Sequence, residues 1–402
     1  MGELSPTERA AVDRAAAEPM LDQVLAWAAV NSGSRNLGGL ERMADLLADA
    51  FAALPGLLRL ENPAPVEIVD AAGRKVDVRH GRHLHLTVRP TAPVQLLFTG
   101  HMDTVFGADH PFQEIRWIDE ATLNGPGVAD MKGGLAVMLA ALKAVEAGSV
   151  ADRIGYDVVI NSDEEVGSPA SADLLAQSAR GKRAALTYEP AALPDGTLAG
   201  ARPGSGNFAI VVRGRSAHAG RNPEDGRNAV LAAAELALHL AKSKYPGLNI
   251  NPSRIDGGSP SNVVPDLAIL RVNLRPRTPD DEERASDLID TAVTAIAAEH
   301  DVQIEVQGGF GRPPKPLTAQ AEALFELVKR AGADLGQSIG WQPSGGVCDG
   351  NNIAACGVPV VDTMGVRGGK IHSMEEFLIV ESLKERAALS ALTILRLAAE
   401  AA

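Results

Sequence analysis

Apolar residues follow two rhythms along this chain. Met43, Leu46, Leu47, Ala50, Phe51 and Leu54 recur at helical spacing, as do Leu135, Met138, Leu139, Leu142 and Val145 from Gly133 onward. Between such stretches lie short continuous apolar runs at 94–98, 156–160 and 184–188, the length of strands buried on both faces. Buried strands alternating with amphipathic helices predict an α/β fold, a parallel or mixed sheet covered by helices.

The pattern changes at Arg202-Pro203-Gly204-Ser205-Gly206. A strand is expected at 207–213, a helix at 225–243, strands at 248–255 and 267–275, a helix from 279 to about 300, and a strand at 302–306. The fourth of these alternates, with Leu267, Ile269, Arg271, Asn273 and Arg275 on one face. Strand-helix-strand-strand-helix-strand is the order of a ferredoxin-like α+β unit. It ends at the hinge-like stretch from Gly308 through Arg312 to Pro314. Helical spacing resumes at Leu317, a buried strand is expected at 358–361, and a Gly-rich loop carries His372. A last helix runs through Leu383, Leu389, Leu392 and Leu395. The expected division is therefore one α/β domain in two parts, 1–201 and 313–402, with 202–312 inserted.

Composition narrows the function classes. The 402 residues are 45% hydrophobic, enough for a large core and more than one domain. Acidic residues outnumber basic ones 51 to 38, a formal net charge of -13, which argues against a nucleic-acid partner and is read as solubility. Cys348 and Cys356 form neither a disulfide framework nor a CxxC metal knuckle, which suits a reducing compartment. The N-terminus has no basic or apolar leader region. Ser5, Pro6 and Glu8 instead fit N-cap, N1 and N3 of a helix. Gly2 does not begin an acylation motif, because position six is Pro. No apolar run reaches the ~20 residues of a membrane span. A cytoplasmic protein with no membrane partner is the expectation.

Five metal-ligand residue types stand at or just after these elements: His101, Asp130, Glu165, Glu189 and His372. In open α/β sheets, ligands bind outside the carboxyl ends of the strands, so these distant residues are expected on one rim. Three carboxylates and two imidazoles make a donor set for two Zn²⁺ ions, with Co²⁺ or Mn²⁺ as substitutes. Each residue alone has an ordinary reading: a strand cap, a helix N-cap for Asp130, an acidic turn at Asp163-Glu164-Glu165, a surface acid and a loop histidine. Their conjunction favours the metal. Asp103, two residues after His101, is placed to orient the imidazole. Glu164 stays free to act as a base.

The stretches Gly100-His101-Met102-Asp103-Thr104-Val105, Gly127-Val128-Ala129-Asp130-Met131-Lys132-Gly133-Gly134 and Ser162-Asp163-Glu164-Glu165-Val166-Gly167-Ser168 carry a family resemblance. So do Tyr188-Glu189-Pro190, Ser216-Ala217-His218-Ala219-Gly220, Ser261-Asn262-Val263-Val264-Pro265 and His372-Ser373. The chain resembles the co-catalytic dizinc aminoacylases and carboxypeptidases, most of all the bacterial folate-cleaving glutamate carboxypeptidases. The resemblance implies a catalytic domain interrupted by a lid or dimerisation domain at 202–312. It implies one zinc on His101 and Glu189, the other on Glu165 and His372, and Asp130 bridging both. It further implies Asp103 as orienter, Glu164 as general base and then acid, and His218 stabilising the oxyanion in a partner subunit's site. The Asp130-Met131 peptide is expected to be cis. Asn262 and Arg275 are the implied substrate-binding groups, with Arg312, Gly345 and Gly346 as further candidates. The implied activity is a zinc carboxypeptidase releasing C-terminal glutamate or a similar residue from a small peptide or N-acyl amino acid, working as a homodimer. Two departures bear on the substrate. Asn273 stands where relatives commonly have Asp, and Val347-Cys348 interrupts a usually Gly/Ser/Thr-rich loop.

Competing readings are a deacylase of the acetylornithine or succinyl-diaminopimelate type and a catalytically inactive metal-binding homologue. A serine hydrolase lacks its G-x-S-x-G elbow here. A nucleotide-binding loop at 124–134 lacks the G-x-x-x-x-G-K-[ST] pattern.

Overall fold

The computed structural model describes residues 3–400, so Met1 and Gly2 of the rejected acylation motif lie outside it. The first helix, Pro6–Ala17, begins as its sequence dictates. Ser5 Oγ accepts from Glu8 N, and Glu8 Oε2 accepts from Ser5 N at 2.8 Å, a reciprocal capping box.

The central sheet has six strands in the spatial order Leu57–Glu61, His83–Val88, Ile154–Asn161, Val94–His101, Ala184–Thr187 and Val360–Val361. The last four strands in that order run parallel to one another, and the first two are antiparallel additions at one edge. Ile154–Asn161 is buried at every position because helices cover both faces. On one face pack Gly133–Glu146 and Glu381–Ala399. On the other, Leu175 and Ala179 of Ala172–Ala179 and Ile353 of Asp349–Ala355 meet Leu97, Val159 and Ala185. This is the expected mixed sheet covered by helices.

A second sheet is wholly antiparallel, in the order Leu248–Gly257, Leu267–Pro276, Ser205–Arg213, Gln303–Arg312. Helices Ala229–Lys242 and Pro279–His300 lie on one of its faces. Leu236, Leu240, Ile289 and Ile296 close a separate core against Ile210, Leu270 and Leu274. This is the ferredoxin-like unit that the element order implies. Its opposite face touches the hairpin Val66–Val69/Lys75–Val78 through Val69, Val211 and Ile269.

Several boundaries differ from expectation. The helix expected from 225 begins at Ala229, because Asn228 Oδ1 accepts from Val230 N and Leu231 N and caps it there. The strand expected at 302–306 continues to Arg312, because it pairs along the whole length of Ser205–Arg213. Only Val360–Val361 of 358–361 joins the sheet. Leu57–Glu61 and His83–Val88 are strands that continuous apolar runs do not reveal. The second alternates as His83-Leu84-His85-Leu86-Thr87-Val88, a period-2 signal. Among the described residues no helix is long and apolar enough to cross a membrane.

Candidate metal centre

Parallel register explains how distant residues meet. His101 is the last residue of its strand and pairs with Asn161, while Thr99 pairs with Thr187. Glu189, two residues past Thr187, therefore stands level with His101 on the same rim. Glu164 and Glu165 occupy the turn that follows Asn161. Asp130 sits in the irregular turn Val128–Lys132, which leads into the buried helix Gly133–Glu146. The Asp130-Met131 peptide is cis, as the resemblance implies. His372, at φ 62°, lies in a loop between the short strands Gly368–Gly369 and Phe377–Ile379, so it does not follow the last strand of the main sheet.

The side chains converge in two nests that share Asp130. His101 Nε2 is 3.1 Å from Asp130 Oδ1 and 3.7 Å from Glu189 Oε2. His372 Nε2 is 3.3 Å from Asp130 Oδ2 and 3.0 Å from Glu165 Oε2. Glu164 also has an oxygen within 4.8 Å of ligand atoms of His101 and Glu189. His101, Asp130, Glu164 and Glu189 are buried, whereas His372 is about half exposed.

The electrostatics show crowded carboxylates held around two imidazoles, His101 and His372, whose cationic forms are favoured. Burial, then the neighbouring Asp130, pushes the Glu165 carboxyl up to about 8. Burial likewise holds Glu189 well above the carboxylate range. The Asp130 carboxyl lies below its usual value because His101 and His372 outweigh its burial. Hydrogen bonds to Asp130 and then Glu165 raise His372 to about 11. Buried carboxylates this close repel unless a cation lies between them. Glu189 Oε1 is buried without a hydrogen-bond partner among the described residues. Carboxylate-imidazole nests and an orphaned carboxylate oxygen fit divalent cations of the zinc type.

Supporting contacts hold the rim. Asp103 meets His101 chiefly through its backbone: its carbonyl accepts from Nδ1 at 2.9 Å, with the carboxylate 3.5 Å away. The carboxylate instead accepts from Glu164 N, Glu165 N and Ser34 Oγ, which fixes the turn carrying both glutamates. Glu376 takes part unseen by motif reading. Its Oε1 accepts from Ala129 N and Asp130 N, and its Oε2 from Gly127 N, at 3.0, 3.0 and 3.2 Å. Its only sequence signal is its place four residues after His372. Burial, then Asp130, pushes its carboxyl up to about 7.

The substrate-side candidates are dispersed. Arg312, which the sequence places among substrate-binding groups, is buried. Its Nη1 donates to Glu164 Oε1 at 2.6 Å and its Nη2 to Glu164 O and Ser168 Oγ. Its charge is therefore already engaged. Arg275 Nη1 donates to Gly345 O at 3.2 Å. Gly346 O accepts from Arg202 Nη1, and Arg202 pairs through two nitrogens with buried Asp362 at 2.8 and 3.0 Å. His218 and Asn262 are exposed and adjacent: Ala219 N donates to Asn262 O, and His218 Nδ1 accepts from Gly220 N and Arg221 N. Neither lines the cavity of about 650 Å³ that opens over the candidate metal-ligand residues. Its walls include Glu164, Arg202, Gly346, Cys348 and Phe377.

The model of peptidase family M20/M25/M40 matches residues 97–396. Carboxypeptidase G2 of Pseudomonas sp. (strain RS-16) is 32% identical over 317 residues, 76% of this chain and 74% of that protein. Succinyl-diaminopimelate desuccinylase of Marinobacter nauticus is 27% identical over 308 residues, 72% of this chain and 79% of that one. A tripeptidase structure from Staphylococcus aureus shares the fold, with a TM-score of 0.72 at 23% identity over 96% of this chain and 99% of that one. The chain thus belongs to peptidase family M20/M25/M40 and is a metal-dependent peptidase or amidohydrolase.

Proposed function

We propose that this enzyme is a dizinc carboxypeptidase that releases glutamate, or a similar amino acid with a free carboxylate, from small peptides or N-acyl amino acids. Asp130 carries this reading: its two oxygens face different imidazoles, each of which also faces a second carboxylate. His101 and Glu189 would hold one ion, Glu165 and His372 the other, with Asp130 shared. Bound ions of this kind polarise a carbonyl and acidify water. Residues of the chain do the rest. Glu164, beside the ligands but tethered by Arg312, accepts the proton of the attacking water. Water adds to the carbonyl carbon, the C–N bond breaks, and Glu164 delivers that proton to the leaving amine. Arg275, with the Gly345-Gly346 turn, takes the substrate carboxylate, and Asn262 of the partner subunit, which adjoins His218, reaches it from across the dimer.

Residues 202–312 are proposed as lid and dimerisation domain, in a homodimer where His218 of the partner subunit donates to the developing oxyanion. Supporting this, Leu231 and Leu238 are exposed at about 60% on one face of Ala229–Lys242, and Leu248–Gly257 is an unpaired sheet edge. A cytoplasmic location completes the reading. The desuccinylase relatives favour a second reading, an N-acyl amino acid deacylase. The test is a hydrolysis panel of N-acyl glutamates, dipeptides and N-acetyl or N-succinyl diamino acids, with the enzyme loaded with Zn²⁺ and after chelation. Glutamate release abolished by chelation supports the carboxypeptidase. Preference for the acylated diamino acids assigns the deacylase, and activity surviving full chelation overturns both.

A further inference from the structure

Beside the metal-site cavity lies a second cleft of about 830 Å³. Arg202 and Ser344 line both, so the two spaces meet across the loop that Arg202 and Arg275 hold. The second cleft is basic. Lys244, Arg275, Arg277 and Arg202 line it with Tyr245 and Asn249, and no acidic residue does. In a chain of net charge -13 that is an uneven placement. Arg202 is paired with Asp362, which it shares with Lys315. The other three have no carboxylate partner among the described residues. Arg275 spends its donors on Asn273 Oδ1 and the Gly345 carbonyl, both neutral. The nearest acid, Asp281 on the neighbouring helix Pro279–His300, lies behind the wall beside Tyr245 and accepts from Thr278 Oγ1 at 2.8 Å.

Unpaired cations lining a concave surface repel one another and favour an anionic guest. Of these cations Arg275 is the candidate for the carboxylate next to the scissile bond, and Lys244 and Arg277 remain for a further carboxylate, on the side chain of the released residue or in the acyl part. The volume also exceeds what one carboxylate fills. We infer that this cleft is an anion subsite, in which Lys244 and Arg277 take a further carboxylate carried by the substrate, so that the preferred substrates are multiply acidic. This rests on the hydrolase reading above and adds to it a second place for a substrate carboxylate. Tyr245 offers an apolar ring alongside the cations, already stacked under Arg284 at 4.7 Å.

The experiment compares wild-type holoenzyme with the double variant Lys244→Ala/Arg277→Ala. Both residues are exposed, and the one hydrogen bond of Arg277 across the cleft wall is from its backbone N to Gly247 O, which the variant retains. Substrates are matched pairs with one scissile bond, differing in a Glu-for-Gln exchange either in the acyl part or in the released residue. The readout is the ratio of kcat/KM for the acidic member over the neutral one. Wild type is expected to favour one acidic member about tenfold or more, with the preference falling as salt rises. The double variant is expected to bring that ratio close to one. A wild-type ratio near one in both pairs, or a ratio the variant leaves intact, overturns the subsite. Should wild type hydrolyse no member of the panel, the hydrolase reading fails separately. Calorimetric binding of triglutamate to the zinc-loaded proteins then decides the cleft. Weaker binding by the variant supports the subsite, and equal or undetectable binding by both proteins overturns it.

Discussion

Replacing Glu376 by Gln tests whether one buried carboxylate sets the position of Asp130. Three backbone N–H groups, of Gly127, Ala129 and Asp130, converge on its two oxygens. Glutamine offers one acceptor oxygen. If that oxygen faces Ala129 and Asp130, its NH₂ group opposes the Gly127 N–H, donor against donor. The change loses one charge-assisted hydrogen bond, about 1.5–3 kcal/mol, and leaves a buried donor unmade, which costs about 1–3 kcal/mol. A destabilisation of about 3 kcal/mol is expected, read as a lower urea midpoint of the metal-stripped protein at pH 8, where the carboxyl is mostly ionised. Because the same turn carries Asp130, metal affinity should fall about 10- to 100-fold, the usual effect of removing a group that orients a ligand. A competition titration against a chromophoric chelator measures it. Glu375→Gln is the control, since that neighbour is exposed and only 3.6 Å from Lys370 at the surface, where an ion pair contributes little. Wild-type metal affinity in Glu376→Gln would refute the positioning role. Lower stability with unchanged affinity would show that Glu376 serves the fold alone.

Glu164→Gln should bind two metals per chain by elemental analysis and lose turnover by at least about 100-fold, the range of general acid-base catalysis; loss of metal instead would make Glu164 a ligand. Asp362 is fully buried, and Arg202 and Lys315 outweigh that burial to lower its carboxyl from 3.8 to about 2. A depressed folded value means its stabilisation is present above about pH 4 and lost as pH falls towards 2. That drop corresponds to about 2.5 kcal/mol, and urea midpoints across that window should show the loss in wild type and not in Asp362→Asn. Leu231→Arg/Leu238→Arg should shift the protein from dimer to monomer in analytical ultracentrifugation. An unchanged mass would move the interface elsewhere.

The metal-ligand candidates were legible because each belongs to an apolar run or a Gly-rich turn, and parallel strands put their carboxyl ends on one rim. His101, Glu165 and Glu189 could be placed from strand ends alone. The ferredoxin-like unit was equally legible, since six elements in fixed order leave few packings. Element ends were less so, because Asn228 as a cap and the long pairing of Gln303–Arg312 are settled by neighbours.

The sequence by itself determined which elements form, which residue types can bind metal and which family they match, because periodicity and short motifs are local. Tertiary structure decided what each group faces. It set Glu376 under a turn 246 residues away and drew Arg312 onto Glu164 across 148 residues. It also gathered Lys244, Arg275 and Arg277 around a cleft with no acidic residue in its lining. Such contacts leave no periodic trace, since charge pairing depends on distance in space and not on spacing along the chain.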